Sequence, residues 1–242
     1  VAIDRKSRLY QTLKWAYQPL KATGSVIRDL TYGPKRSALV KQYHHSDFAG
    51  LHIGCGPFHM TGWMNTDLPP NSHMDFPLDI SRPLPFPDNY FHAIYGAEVI
   101  EHIPLAEGRL FFQEARRILR PGGVLRLTTP DLENICRIFL HQNPQADPAK
   151  FGTVWIDGEF SDEIWINAMF HFWGHQFLYN FAALERELET AEFTGIIRCQ
   201  PLESQSAYAQ LQGLETRYGE NAPAWRFEHV LVVEATKPDS IN

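Results

Sequence analysis

The chain has 242 residues, 44% of them hydrophobic and 21% charged, with a formal net charge of −6. That is ordinary composition for a folded soluble domain with a substantial core. It excludes a disulfide-framed miniprotein and, with no run approaching about 18 apolar residues, a membrane-spanning helix.

The charge is uneven. Residues 1–41 carry nine Lys/Arg against Asp4 and Asp29, a balance of +7, which leaves −13 on the remainder. A basic arm on an acidic body predicts docking on its own body or on a second subunit, which allows a homodimer. Weak peripheral contact with an anionic membrane surface is the alternative. The acidity of the body argues against bulk nucleic acid as a partner. Cys55, Cys136 and Cys199 are odd in number and widely spaced, without a CxxC pair. They predict reduced thiols in a cytoplasmic protein and neither disulfides nor a zinc site. The opening VAIDRKSRLY lacks the apolar core of a signal peptide.

In chain order, Leu9, Leu13, Ala16, Tyr17 and Leu20 recur at helical spacing and predict an amphipathic helix over residues 5–20. Gly24 and Gly33-Pro34 punctuate the next stretch, and a second short helix is predicted over Lys35 to Tyr43. Residues 1–46 are therefore expected to be a helical arm and residues 47–242 the core domain. The first strand, Phe48 to Ile53, runs into Gly54-Cys55-Gly56. The second, Gly62 to Asp67, comes after a connection long enough for one helical turn at most and ends on an acid beside Leu68. Two glycines at a strand end let the backbone turn tightly and approach a ligand that a Cβ would block. A carboxylate at the end of the next strand can accept both hydroxyls of a ribose. Residues 51–67 thus predict a nucleoside-binding corner. The Gly56-to-Asp67 spacing is too short for a dinucleotide motif, which places its acid about 20 residues on.

Pro69 to Pro87 is proline-rich, with a short third strand predicted inside Met74 to Ile80 and ending at Asp79. Tyr90 to Tyr95 is the fourth strand and Leu105 to Leu119 an amphipathic helix stopped by Pro121-Gly122-Gly123. Val124 to Thr128 is the fifth strand. Residues 131–180 break the rhythm with a run of aromatics that includes Trp155, Trp165, Phe170, Phe172 and Trp173, and predict an inserted lid on the acceptor side whose aromatics form its own core or an acceptor cavity. A helix over Asn180 to Ala191 and strands over Gly195 to Gln200 and His229 to Ala235 complete the chain. Alternating strands and helices predict an α/β fold with a mostly parallel, doubly wound sheet.

HIGCGP, NTDL, PLDISRPLPFPDNYFHAIYGAEVIEHI and ARRILRPGGVLRLTTPD together resemble the class I S-adenosylmethionine-dependent methyltransferases over roughly residues 48–131. GCGPFHMTGWMNTDL and FWGHQFLYN are more narrowly similar to a bacterial subgroup of such enzymes associated with surface-polysaccharide or nucleotide-sugar pathways. The resemblance implies a Rossmann-like, seven-stranded sheet with helices on both faces, S-adenosylmethionine as cofactor, and a small-molecule or saccharide acceptor. It implies that Gly54, Cys55 and Gly56 pass beneath the methionine and ribose, and that Asp67 and Leu68 hold the ribose end. Asp79 and Ile80 would take the adenine, while Tyr95, Gly96 and Ala97 would line the methionine side. Two positions differ from the family's pattern: His52 stands where an acid is common, and Phe58 where a third glycine is common. They leave a non-catalytic nucleoside-binding or partner subunit as the alternative.

Three residues are candidates for catalysis. His102, where the chain leaves the fourth strand, could remove a proton from an attacking hydroxyl or could cap the next helix. Glu98 precedes it and could also face the methionine ammonium. His171 and His175 are four apart, and on a helix would share a face with acids such as Asp157, Glu159 and Asp162 nearby. That pair defines no third ligand, so no metal site is assigned. Gly174 is instead expected to break the helix and turn His175 towards the acceptor.

Overall fold

The computed structural model describes residues 31–44, 46–68, 73–145, 161–215 and 227–239. The chain divides into two compact units, Val1–His45 and Ser46–Asn242. In the first unit residues 31–44 are helical (α1), longer than predicted, and the helix expected over residues 5–20 lies outside the described residues.

The second unit is built on seven strands: β1 Gly50–Ile53, β2 Trp63–Asp67, β3 Phe76–Pro77, β4 Phe91–Ala97, β5 Leu119–Pro130, β6 Thr194–Cys199 and β7 Val230–Thr236. They form one sheet in the order β3-β2-β1-β4-β5-β7-β6, parallel except for β7, which runs antiparallel to both its neighbours. Strand order reverses beside β1, so the carboxyl ends of β1, β2 and β4 define the crevice where ligands bind in open α/β sheets. β1 and β4 are buried along their whole length, as near-continuous apolar runs in a parallel sheet require. The fold is the Rossmann-like, doubly wound arrangement expected.

Among the described residues four helices accompany the sheet: α2 Leu105–Ile118, α3 Leu132–Phe139, α4 Asp162–His171 and α5 Phe181–Thr190. Helix α2 turns Phe111, Phe112, Ala115 and Ile118 inward at helical spacing. Pro121-Gly122-Gly123 does not separate this helix from a strand. The helix ends at Ile118, Leu119 already pairs with Phe91, and the Pro-Gly-Gly segment is an irregularity inside β5. Proline disfavours helical backbone at the residue before it, which ends α2 ahead of the glycines. Helices α3 and α4 share a core cluster, where Ile135 and Ile138 pack against Trp165, Ala168 and Met169. The connection from β1 to β2 contains turns and no helix. Buried Asn65 takes the place of a crossover helix: its Oδ1 accepts from Met60 N at 2.8 Å, and its Nδ2 donates to the carbonyls of Met60 and Trp63, each at 3.0 Å.

An ion cluster crosses the sheet interior. Arg126 of β5 is buried and donates to Glu215 through Nε and Nη2, each at 2.9 Å, and to Glu234 of β7 at 2.7 Å. Burial works against its charge, but the two carboxylates hold the guanidinium above its usual range. The same carboxylates accept main-chain N–H groups of Leu202 and Gln205, which fastens the segment after β6 to the sheet. Beyond it, Tyr208, Leu211 and Leu214 cover the face of the sheet formed by Ala93, Tyr95, Ala97 and Val124.

Burial lowers the pKa of His229 to about 4, from an ordinary value near 6.5. The unfolded chain therefore binds the extra proton first on acidification. The His229 contribution is complete above about pH 6.5 and is lost as pH falls through about 4, on the order of 3 kcal/mol over that window. Urea melts from pH 7 to pH 5 should show stability falling, and His229→Gln should flatten that slope. An unchanged slope would remove His229 from the account.

Candidate active site

Gly54 ends β1 with φ +59°, and a Cβ there would lie 2.6 Å from Val99 Cγ2. Both the left-handed backbone and the packing require glycine. Gly56 has φ +54° as well, but a Cβ there would meet nothing within 4 Å among the described residues. One glycine thus lets the turn form, and the other leaves open space over it. Cys55 is buried between them, and its N–H donates to Thr66 O at 3.0 Å, tying the turn to β2. Gly56 N–H donates to Asp67 Oδ2 at 2.8 Å and Leu68 N–H to Asp67 Oδ1 at 2.6 Å. Each carboxylate oxygen of Asp67 thus accepts a main-chain N–H of the loop or the strand end.

The remaining donor-side candidates lie along the same edge. β3 stops at Pro77, two residues short of Asp79, and Leu78 N–H donates to Asp67 O at 2.9 Å. Asp79 accepts from Ser81 N and Oγ through Oδ1, and its Oδ2 lies 3.1 Å from Arg82 Nε. Ile80 is buried beside it. The Tyr95 ring stacks on His52 at 5.4 Å and packs near Trp63, so its side chain belongs to the sheet's core and not to the strand end. A Cβ at Gly96 would lie 2.8 Å from Ile53, which makes this glycine a close-packing residue. His52 is buried, and its Nδ1 donates to Asn65 Oδ1 at 3.0 Å. This position therefore supports the strand that carries the loop and presents no acid to a ligand. Phe58 stands half exposed on the loop.

Beyond β4 the chain makes an unfavourable turn. Glu98 has φ +54°, while its N–H donates to Thr128 O at 2.9 Å and its Oε1 lies 3.4 Å from the Thr128 hydroxyl. Left-handed backbone at a non-glycine residue costs about 1–3 kcal/mol and concentrates at functional sites. The 3-10 turn Ile100–His102 comes next. The N-cap of α2 is Pro104, two residues beyond His102.

His175 comes to the same place from the far side. α4 ends at His171, before Gly174, and a second left-handed pair, Trp173 (φ +56°) and Gly174 (φ +84°), reverses the chain. Gln176 N–H and Phe177 N–H both donate to Glu101 O, at 2.7 and 3.2 Å, and fasten this loop to the turn after β4. The rings of His102 and His175 are 5.1 Å apart. His171 closes the helix, so it does not share a helical face with His175. His102 and His175 thus meet at the turn after β4, while Glu98, at the start of that turn, lies beside Thr128. Glu101, to which sequence reasoning gave no role, is fully buried among them, and its Oε2 accepts from Thr129 Oγ1 at 3.0 Å. The available signal was the acid-histidine pair placed immediately after a buried strand. A cleft of about 540 Å³ opens elsewhere, beside Asn134, Arg198 and Phe227, and none of the candidate residues lines it.

With this geometry in place, comparison with known proteins supplies a class. Residues 51–127 match the family model described as a methyltransferase domain, and the corner, the strained turn and the Glu101-His102 pair all fall within the matched residues. A sterol 24-C-methyltransferase of Gibberella zeae is 49% identical over 41 residues, covering 17% of this chain and 10% of that protein. A SAM-dependent methyltransferase from Archaeoglobus fulgidus is similar at TM-score 0.46 and 13% identity, covering 87% of this chain and 94% of that one. The CurJ carbon methyltransferase is similar at TM-score 0.46 and 13% identity, covering 79% and 49%. The aligned part is thus about a tenth of the sterol enzyme's length and about half of the carbon methyltransferase's.

Proposed function

We propose that the protein transfers the methyl group of S-adenosylmethionine to an oxygen or nitrogen nucleophile of a small-molecule or saccharide acceptor. The corner of β1 and β2 carries this reading. Gly56 leaves open space where a side chain would stand, and its N–H is joined to a carboxylate held at the end of the adjacent strand. That arrangement fits a ribose over the loop with both hydroxyls donating to Asp67. Asp79 and Ile80 would receive the adenine, and the main chain of Tyr95, Gly96 and Ala97 the methionine, with Cys55 and Leu68 completing the loop and the ribose end. Bound there, the cofactor supplies a sulfonium methyl with a neutral thioether leaving group, so an acceptor lone pair forms the new bond as the carbon–sulfur bond breaks.

The protein's own work is to align the two partners, exclude water and see the acceptor lose its proton. Alignment alone supplies much of the rate in such transfers. His102 and His175 converge where the acceptor would enter, and Glu98 stands at the start of the turn that carries His102. His175 Nδ1 donates to Met169 O at 2.6 Å, which fixes the tautomer that leaves Nε2 with its lone pair outward. Convergence of these residues favours an enzyme over a binding subunit. The test traces labelled methyl from S-adenosylmethionine into a panel of sugar and small-molecule hydroxyls and amines. His175→Ala should lower kcat about a hundredfold while S-adenosylmethionine affinity stays unchanged. Binding without any methyl transfer across the panel would favour the subunit reading.

A further inference from the structure

We propose that Glu101, His102 and His175 form a divalent-cation site at the acceptor end of the sheet. One donor atom from each residue lies within 4.8 Å of the others, with Glu101 buried and both histidines half-buried. The Glu101 Oε1 to His102 Nε2 distance is 3.8 Å. Donors bound at about 2.0–2.2 Å to a shared ion stand roughly 3–3.5 Å apart, so small side-chain rotations close the set.

Two independent features support ligation. His175 donates from Nδ1 to the Met169 carbonyl at 2.6 Å, the outer hydrogen bond that orients metal-ligating histidines and leaves Nε2 to coordinate. Glu101 is held from behind through Thr129 Oγ1 on Oε2, which directs Oε1 to the histidine side. The frame is also rigid. Main-chain bonds from Gln176 and Phe177 to Glu101 O lock the loop of one ligand to the turn carrying the other two.

Two imidazoles and a carboxylate suit Mn²⁺, Fe²⁺, Co²⁺ or Zn²⁺ and leave coordination positions open. This inference deepens the methyl-transfer reading and rests on it for the acceptor's location. An acceptor with adjacent oxygens would chelate the ion through the open positions. Coordination lowers the pKa of a bound hydroxyl, whose proton passes to solvent, leaving an oxyanion as nucleophile. The histidines then act as ligands, and the preferred acceptor is a vicinal diol, catechol-like or hydroxy-acid group.

The test uses the full chain, stripped with a chelator and titrated with Co²⁺ in the absence of S-adenosylmethionine. One ion per chain should bind, with the visible absorption bands of a nitrogen- and oxygen-ligated Co²⁺ centre. His102→Ala and His175→Ala should each weaken uptake about tenfold or more. His141→Ala, an exposed histidine beside Asp162, should leave it unchanged. Retained S-adenosylmethionine binding by the two site variants certifies that they are folded. If either unfolds, the conservative Glu101→Asp and His175→Asn variants replace it in the same titration. No bound Co²⁺ in the parent chain, or uptake that survives loss of both histidines, overturns the inference. Failure of Co²⁺ to bind while S-adenosylmethionine binds removes the cation and leaves methyl transfer standing. The reverse outcome leaves the cation site without its donor.

Discussion

Asp67→Ala is expected to weaken S-adenosylmethionine binding about tenfold or more, the loss of paired hydrogen bonds to a charged acceptor. The effect has two parts. The carboxylate that would accept the ribose hydroxyls disappears, and so does the acceptor that holds Gly56 N–H at 2.8 Å and Leu68 N–H at 2.6 Å. The loop then loses its fixed height above the sheet. Asp67→Asn separates the two parts, because its side-chain oxygen can still hold one loop N–H while its charge is gone. Calorimetric titration of all three chains gives the order parent, then Asn, then Ala. Equal affinity of parent and Ala variant would show that the corner does not bind the ribose.

Arg126→Met is expected to cost about 3–5 kcal/mol of stability, the usual consequence of removing one partner from a buried ion cluster. Glu215 and Glu234 would be left buried without their cation, in a region that also anchors Leu202 and Gln205. Methionine fills most of the volume, so the loss is electrostatic more than a matter of packing. Adding Glu215→Gln and Glu234→Gln to Arg126→Met should restore part of the stability by removing the stranded charges. Urea titration measures both, and a loss below about 1 kcal/mol for Arg126→Met would mean that solvent reaches the cluster.

The centre of the sheet was legible because β1, β4 and β7 are buried nearly throughout and so are written as short apolar runs. Phe48 to Ile53 and Tyr90 to Tyr95 predicted β1 and β4 to within two residues at each end. Where local chemistry and strand pairing compete, legibility fails. Pro121-Gly122-Gly123 looks like a break between elements, yet pairing with β4 on either side of it and main-chain bonds between Lys237 and both glycines carry β5 through it. The third strand is cut to Phe76–Pro77, and Asp79 is held by a Ser81 and Arg82 turn that no periodicity announces. The turn at Gly54 and Gly56 and the acid at the end of β2 could be placed because glycines and an acid at strand ends have few other uses. The acceptor end could be read only in part. His102 and His175 are 73 positions apart, and Gln176 and Phe177 bring them together through bonds to a main-chain oxygen, which leave no mark on residue type. Glu101 was given no role for a related reason: an acid after a strand is ordinarily exposed, and only the fold buries it.

The most direct measurement is a calorimetric titration of the full chain with S-adenosylmethionine, with the nicotinamide dinucleotide as the comparison ligand. The Gly56-Asp67 corner predicts one S-adenosylmethionine bound per chain and no binding of the dinucleotide. Absence of any heat at millimolar S-adenosylmethionine would contradict the assignment of the corner and the methyl transfer built on it.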